Sequence, residues 1–130
     1  MDGHCSVRIE AFAERHFIKG FHKKYQGKWD VTLTAIQAEL SRIDALLLTD
    51  KADTIVDGGE VRIVKTEFRV AGTKESAKSS GNRCVVAWHP QELFVAVLLV
   101  YSKTDLSGRN ETAEWQSLIK KNYPQYKNLF

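Results

Sequence analysis

Nine consecutive apolar residues, from Leu93 to Tyr101, constrain the fold of this chain more than any other feature. A run of this length without a polar residue is typical of a strand at the centre of a sheet, where neighbouring layers cover both faces. The run is far shorter than the ~20 residues that a membrane-spanning helix needs. We therefore expect a sheet built around this strand and no association with a membrane.

Two further strands are predicted ahead of the apolar run. From Val64 to Val70, apolar or β-branched residues alternate with charged ones, which indicates one buried and one solvated face. Lys65 and Arg69 are therefore expected to project from the same face. Cys84 to Trp88 predicts the next strand, and residues 89–92 predict the turn that leads into the apolar run. The three strands are expected to run antiparallel.

The first part of the chain predicts a short strand followed by an amphipathic helix. The strand spans about Val7 to Glu10, and the helix extends from Ala11 to about Tyr25. Its outer face is expected to be basic, because three cations recur at four-residue steps: Arg15, Lys19 and Lys23.

A second amphipathic helix is predicted beyond Gly27. Asp30 or Thr32 can cap it, and apolar residues from Leu33 to Leu47 recur at three- and four-residue spacings. The two helices are expected to form a hairpin, because only about five residues join them. The aspartate-rich segment from Asp50 to Gly59 is expected to be a loop.

The end of the chain predicts a third helix, with Asn110 as its cap, Asn122 near its end and Pro124 beyond it. The predicted order is β-α-α-β-β-β-α. The fold class is therefore α+β, with an antiparallel sheet packed against an N-terminal helix hairpin in a single domain of residues 1–130.

Composition restricts the class of protein. The 130 residues are 43% apolar and 27% charged, which are ordinary values for one soluble domain. The two cysteines do not make a disulfide framework, and the histidines and cysteines lack metal-ligand spacing. The first residues lack the pattern of a secretory signal. We expect a cytoplasmic protein without a metal or other cofactor. Trp88 is expected in the core, whereas Trp29 and Trp115 could be buried or could stack on bases.

Positive charge is concentrated between residues 61 and 84. Six bases and two acids give this stretch a local charge of +4, although the whole chain carries only +3. Residues 71–82 are mostly small and polar and contain two glycines, so they predict a flexible loop that carries Lys74 and Lys78. Cations on and between strands suit the binding of phosphates, but such a stretch can also be an ordinary solvated face.

Three segments resemble the RelE/ParE superfamily of bacterial toxins, especially its RelE and HigB-type messenger-RNA endonucleases. The first is the basic strand and loop of residues 68–88, in which a small-residue loop ends in Gly81, one residue and Arg83. The second is the end of the apolar strand, Val100 to Lys103, and the third is the opening strand and helix of residues 7–25. The resemblance covers most of the chain.

The resemblance implies the toxin of a type II toxin–antitoxin pair, inhibited by a cognate antitoxin. It also implies cleavage of messenger RNA without a metal, on the ribosome, by attack of a ribose 2′-hydroxyl on the adjacent phosphate.

The resemblance also implies roles for particular side chains. Arg83 would clamp the phosphate, because a guanidinium can bind two oxygens at once. Arg69 and Lys103 would complete the catalytic set, and Tyr101 or Glu67 would take part in proton transfer. The remaining cations would contact RNA: Lys65, Lys74, Lys78, Arg15, Lys19 and Lys23.

The alternative is a binding module of the same fold that does not cleave RNA. It would be a ParE-like protein that acts on a protein partner such as gyrase, or a degenerate member that only binds its antitoxin. Glu67 favours this alternative, because some relatives carry a base there. The absence of a tyrosine between Lys103 and Tyr123 also favours it.

Overall fold

The computed structural model describes residues 4–106 and 110–130, which form an α+β structure with a five-stranded mixed sheet and five helices. The strands are β1 Ser6–Ile9, β2 Ala52–Asp57, β3 Arg62–Glu67, β4 Asn82–His89 and β5 Phe94–Ser102. The helices are α1 Ala11–Ala13, α2 Lys19–Lys24, α3 Trp29–Ser41, α4 Ile43–Leu46 and α5 Glu111–Asn122. Shorter 3-10 turns span Lys103–Asp105 and Pro124–Leu129.

The sheet has the order β1-β5-β4-β3-β2, and the apolar strand β5 lies inside it as predicted. Strands β2 to β5 pair antiparallel with their neighbours, whereas β1 pairs parallel with β5. The expectation of a purely antiparallel sheet was therefore wrong. The helical region after β1 leads to β2 at the opposite edge of the sheet, whereas β1 pairs with β5, which is distant in the sequence. Because no short turn joins β1 to β5, their pairing is not restricted to the antiparallel arrangement of a hairpin.

Strand β2 occupies the segment that the sequence predicted as a loop. Its aspartates flank the β-branched residues Thr54, Ile55 and Val56, which favour extended structure. The pairing with β3 shifts register between Thr54 and Val56, as in a β-bulge. Gly59, with φ 85°, then makes the turn into β3 in a conformation that favours glycine. The observed order of strands and helical regions is thus β-α-α-β-β-β-β-α.

Strand β3 ends at Glu67, three residues earlier than predicted. Arg69 therefore lies beyond the sheet and does not share a strand face with Lys65. Phe68 and Val70, which follow the strand, are buried in the core all the same. Their alternation with charged residues had the period of a strand. The backbone N–H of Phe68 still donates to the carbonyl oxygen of Asn82 in β4 at 3.3 Å, but the regular strand pairing ends at Glu67.

The first two helices form a single run from Ala11 to Lys24 that contains a π-helical turn at Glu14–Ile18. The next helix, α3, begins at Trp29 with Lys28 as its cap, so neither Asp30 nor Thr32 caps it. Thr32 instead accepts a hydrogen bond from the backbone N–H of Ala71 at 2.8 Å. A break at Arg42 separates α3 from α4, where one continuous helix was predicted.

Two apolar cores lie on either side of the sheet. One joins the sheet to α3 and α4 through residues such as Trp29, Leu40 and Val86. The other joins it to α5 and the C-terminal turn through residues such as Trp115 and Leu98. Trp29 and Trp115 are the fully buried tryptophans, whereas Trp88, expected in the core, is half-buried.

Helix α5 begins and ends as predicted. The side chain of Asn110 accepts a hydrogen bond from the backbone N–H of Ala113 at 3.1 Å, which caps the helix. Lys120 and Lys121 lie in its last turn, where cations interact favourably with the helix dipole. Within residues 4–106 and 110–130, no helix has the length and apolar character needed to cross a membrane.

Candidate functional site

Three polar residues predicted to act in the site form one row across the sheet. Glu67 in β3 lies opposite Arg83 in β4, and Arg83 lies opposite Tyr101 in β5. Residues directly opposite each other in antiparallel strands share a face and bring their side chains close together. Strand pairing therefore brings Glu67, Arg83 and Tyr101 together from three separate parts of the sequence.

Arg83 is buried, with 5% of its surface exposed. One of its terminal nitrogens, Nη2, lies 3.2 Å from Oε2 of Glu67 and 3.5 Å from the carbonyl oxygen of Lys78. The other, Nη1, donates to the carbonyl oxygen of Asn82 at 3.0 Å. Protein acceptors thus occupy both ends of the guanidinium. This arrangement does not fit the predicted role of Arg83 as an open phosphate clamp.

Tyr101 is completely buried. Its hydroxyl donates a hydrogen bond of 2.6 Å to Oε2 of Glu111, at the start of α5. Burial, together with the hydrogen bond to this carboxylate, raises the pKa of Tyr101 far above its usual value, although the charge of Arg83 acts in the opposite direction. The phenol keeps its proton and has no surface from which to reach a substrate. Burial therefore argues against a role for Tyr101 in proton transfer.

Glu67 remains partly accessible, with 19% of its side chain exposed. Its Oε2 faces Arg83, and a carboxylate has a second oxygen that can accept further hydrogen bonds. Of the two residues predicted for proton transfer, Glu67 is the one that remains accessible at the surface.

Lys103 is exposed, and a hydrogen bond fixes its backbone. Its backbone N–H donates to the carbonyl oxygen of Gly81 at 2.9 Å. A methyl group built on Gly81 would stand 3.7 Å from Cβ and Cγ of Lys103, so the lysine side chain passes directly over this glycine. Among the described residues, no carboxylate lies within ion-pair distance of the Lys103 ammonium group.

Serine hydrogen bonds give the basic loop of residues 71–81 a defined shape. Ser76 and Ser79 bond to each other, and the hydroxyl of Ser80 donates to the carbonyl oxygen of Phe68 at 2.8 Å. Lys74 is exposed, and the ammonium group of Lys78 lies 3.7 Å from a carboxylate oxygen of Asp50. The sequence predicted a flexible segment, whereas these bonds tie its two ends together.

Arg69 lies apart from the Arg83 row. It is exposed and lines a groove between the loop and α3, together with Lys51, Phe68 and Ser76. The carboxylate of Glu39 on α3 pairs with Lys51 in the same groove. The structure thus brings Arg83, the backbone of Lys78 and Lys103 to the base of the loop, but it places Arg69 on the side that faces α3.

The other predicted RNA contacts lie at the surface or close to it. Lys65 is half-buried, two residues before Glu67 on the same strand face and opposite Asp53 of β2. Arg15, Lys19 and Lys23 are exposed on the first helical run. Arg15 lies within the π-helical turn and Lys19 follows it directly, so the turn changes the four-residue spacing assumed in the prediction.

Sequence reasoning missed a cavity between the first helical run and the end of β5. Its lining residues come from both segments: His16, Phe17, Gly20, Phe21, Lys24, Tyr25, Ser102, Thr104 and Asp105. The one signal in the sequence is Gly20, a glycine within a helix that leaves room beside the backbone.

Chemically, the site offers a free ammonium group, a partly exposed carboxylate and a nearby cavity. In the part of the chain that the structure describes, no group of three or more histidine, cysteine or acidic side chains is placed to hold a metal ion. Comparison of the chain with family models, curated proteins and solved structures found no match.

Proposed function

We propose that this chain is the toxin of a type II toxin–antitoxin pair and cleaves messenger RNA on the ribosome. The proposal rests on the resemblance of residues 7–25, 68–88 and 100–103 to RelE and HigB-type endonucleases. The order of helical regions followed by antiparallel strands supports the proposal, although the sheet has one strand more than the resemblance implies.

The position of Lys103 is the single observation that carries the proposal. Its ammonium group is exposed, and its stem is held over Gly81 at the base of the basic loop. No carboxylate of residues 4–106 and 110–130 pairs with this ammonium group, so it is available to a phosphate, and a fixed backbone limits the reorganisation needed for binding.

Lys103 and Glu67 suit the two requirements of RNA transesterification. The 2′-oxygen forms a bond to phosphorus while the bond from phosphorus to the 5′-oxygen breaks, which leaves a 2′,3′-cyclic phosphate and a free 5′-hydroxyl. Lys103 stabilises the negative charge that develops on the phosphate oxygens. Glu67 accepts the proton of the 2′-hydroxyl, and solvent supplies a proton to the 5′-oxygen.

Arg83 acts in this scheme as a positioning residue. It holds the carboxylate of Glu67 and the carbonyl oxygens of Asn82 and Lys78 around one guanidinium. Its bonds therefore connect the proposed base, Glu67, to the loop that carries the RNA-binding cations. The exposed Lys74 and Arg69 on the flanks of this loop extend the surface for the RNA backbone.

Mapping RNA ends in a purified translation reaction tests this proposal. The wild-type chain should generate new fragments that start with a 5′-hydroxyl, and Lys103→Ala should reduce their rate of formation at least ~100-fold, the usual loss for one charge-stabilising group. Lys120→Ala removes the same charge from the exposed face of α5 and should leave the rate unchanged. Equal rates for wild type and Lys103→Ala would refute the assignment.

Binding without cleavage is the second candidate function, and the burial of Arg83 against Glu67 favours it. In this case the exposed cations would hold RNA, an antitoxin or another partner protein, and no chemistry would follow. Intact transcripts in the same reaction, combined with tight binding of RNA or antitoxin, would identify this function.

A further inference from the structure

The cavity between the first helical run and the end of β5 has the size of a binding site for one small ligand. Its volume is about 300 Å³, at the lower end of the range of roughly 300–1,000 Å³ that is usual for ligand pockets. One wall comes from residues 16–25 and the other from residues 102–105.

The helical wall departs from regular α-helix at the cavity. Within the π-helical turn, the backbone N–H of Lys19 donates to the carbonyl oxygen of Glu14, five residues earlier. Such turns inside α-helices are frequent at functional sites. This turn presents His16, whose ring stacks on Phe12 with centroids 5.0 Å apart and meets Phe17 edge-on. One side of the cavity is therefore an imidazole that two aromatic rings hold in place.

Gly20 follows the π-helical turn and also lines the cavity. A methyl group built on Gly20 would meet no atom within 4 Å, so open space lies beside this residue. Glycine in a helix lacks the side chain that would otherwise occupy such space. The absence of a side chain at Gly20 thus helps to keep the cavity open.

The opposite wall is rich in hydrogen-bond acceptors. Oδ2 of Asp105 accepts the backbone N–H of Ser102 at 2.9 Å, and the hydroxyls of Ser102 and Thr104 lie 3.1 Å apart. The bond from the Ser102 N–H to Asp105 is half of a capping box, in which the hydroxyl of Ser102 also accepts a backbone N–H, and it fixes the carboxylate of Asp105 at the cavity wall. An ionised carboxylate only accepts hydrogen bonds, so this wall suits a ligand edge with several N–H donors.

A cation completes the lining. Lys24 is exposed, and its ammonium group lies 5.3 Å from the ring centroid of Tyr25, which also lines the cavity. Each of these features suits one part of a nucleotide. The aromatic rings suit the flat base, the cation suits the phosphate, and the fixed carboxylate suits the polar edge of the base.

The two residues that flank Lys103 in the sequence, Ser102 and Thr104, line the cavity. The backbone of Lys103 therefore runs along the cavity wall. An RNA strand whose phosphate lies at Lys103 would therefore pass the mouth of the cavity with a neighbouring nucleotide.

We propose that this cavity selects guanine in the bound RNA, with Asp105 accepting the N1–H and 2-amino donors of the base and Lys24 contacting a flanking phosphate. Guanine is the common RNA base that presents a ring N–H and an amino group side by side on its pairing edge. The inference rests on the proposed RNA-cleaving function and adds to it the identity of a base next to the scissile phosphate.

A pair of mononucleotides tests the recognition of guanine directly. Guanosine and inosine 5′-monophosphates differ only in the 2-amino group, so their affinities for the purified full chain, measured by calorimetry, isolate one donor. The guanosine nucleotide should bind about tenfold more tightly, as expected for a hydrogen bond to a charged acceptor. Asp105→Asn keeps an oxygen for Ser102 and should remove this preference. Equal affinities for the wild-type chain would overturn the proposal.

A substitution at Gly20 tests the location of the binding site. Gly20→Gln adds a side chain beside the cavity and should weaken the binding of guanosine 5′-monophosphate at least tenfold. Ala11→Gln adds the same side chain at an exposed position in the first turn of the same helical run and should have no effect. Unchanged binding by Gly20→Gln, in a variant with a wild-type circular dichroism spectrum, would place the ligand elsewhere and refute the proposal.

Failure of this inference can be distinguished from failure of the proposed function. If guanine is selected by Asp105 but transcripts stay intact, the cavity assignment stands and the chain binds RNA without cleaving it. If transcripts are cut with equal frequency beside all four bases, the endonuclease stands and guanine selection at the cavity is refuted.

Discussion

At the scale of single residues, Arg83 illustrates the difference between identifying a functional candidate and knowing its environment. Its place after Gly81 marked it as a phosphate ligand, but its buried guanidinium has Glu67 and two carbonyl oxygens as partners. Burying a charge is unfavourable unless a partner compensates it, so the removal of Arg83 would leave an uncompensated carboxylate.

Arg83→Met should therefore lower the free energy of unfolding by about 3 kcal/mol, the lower end of the range for breaking a buried ion pair. The double variant Arg83→Met/Glu67→Gln should recover at least about 1 kcal/mol of this loss, because a neutral amide tolerates the missing cation. Urea unfolding monitored by tryptophan fluorescence measures both values. A loss below about 1 kcal/mol in the single variant would contradict the structural role of Arg83.

Cys84 allows a prediction of pH dependence. Burial raises the pKa of its thiol from 9.0 to about 12, although a hydrogen bond with Thr66 lowers it somewhat. Between these two pH values the unfolded chain loses the thiol proton while the folded chain keeps it. The folded state then binds more protons, so the stability that is fully present below pH 9 should fall as the pH rises towards 12.

The contribution of Cys84 to this decline should approach about 1.4 kcal/mol per pH unit. Urea unfolding between pH 9 and pH 11 should accordingly give a shallower decline for Cys84→Ala than for the wild-type chain. Cys5→Ala is the matched control, and it should keep most of the wild-type slope. Identical slopes for Cys84→Ala and the wild-type chain would show that the thiol is not buried as described.

Sequence patterns were reliable for residues whose role is local and unreliable for residues whose role depends on register. Asn110 caps α5 as predicted, because a cap needs only the backbone three residues away. The carboxylate partners of Arg83 and Tyr101, which are Glu67 and Glu111, come from another strand and from α5, so no local spacing could reveal them. The burial of Tyr101 follows from tertiary packing in the same way.

At the scale of elements, periodicity identified β5 and the helical regions but missed β2. Asp53 and Asp57 disfavour strands in general, yet β2 is an edge strand with exposed positions that accommodate them. The alternation up to Val70 overstated the length of β3, since the regular pairing ends at Glu67 and the residues beyond it are buried by packing against the core. The π-helical turn also left no periodic signal in the residues around it.

Two glycines should respond in opposite ways to the same substitution. Gly81 has φ 78°, where a side chain is strained, so Gly81→Ala should destabilise the protein by about 1 kcal/mol. Gly20 lies within a helix with free space beside it, so Gly20→Ala should stabilise it by roughly 0.5–1 kcal/mol. Thermal unfolding shows whether each variant is more or less stable than the wild-type chain. A stabilised Gly81→Ala variant would contradict the left-handed turn that positions Lys103.

At the scale of the whole molecule, the location of charge matters more than its sum. The chain carries a net charge of only +3, but several cations around the loop and on the first helical run are exposed. A net charge this small gives weak attraction for RNA at a distance. Binding should therefore depend on the particular cations that touch the backbone, and salt should weaken it in proportion to their number.

Two double variants separate the effect of particular cations from the effect of the net charge. Lys65→Ala/Lys103→Ala and Lys120→Ala/Lys121→Ala both lower the net charge from +3 to +1, since each pair removes two positive charges. The slope of the logarithm of the RNA-binding constant against the logarithm of the salt concentration measures the number of phosphate contacts. If Lys65 and Lys103 both contact phosphates of a single-stranded RNA, this slope should be shallower by about 1.4 in the first double variant, or 0.7 per contact. The second pair, at the end of α5, should keep the wild-type slope, as fluorescence anisotropy at several salt concentrations would measure. Equal changes in both pairs would mean that overall charge, and no defined surface, determines the affinity for RNA.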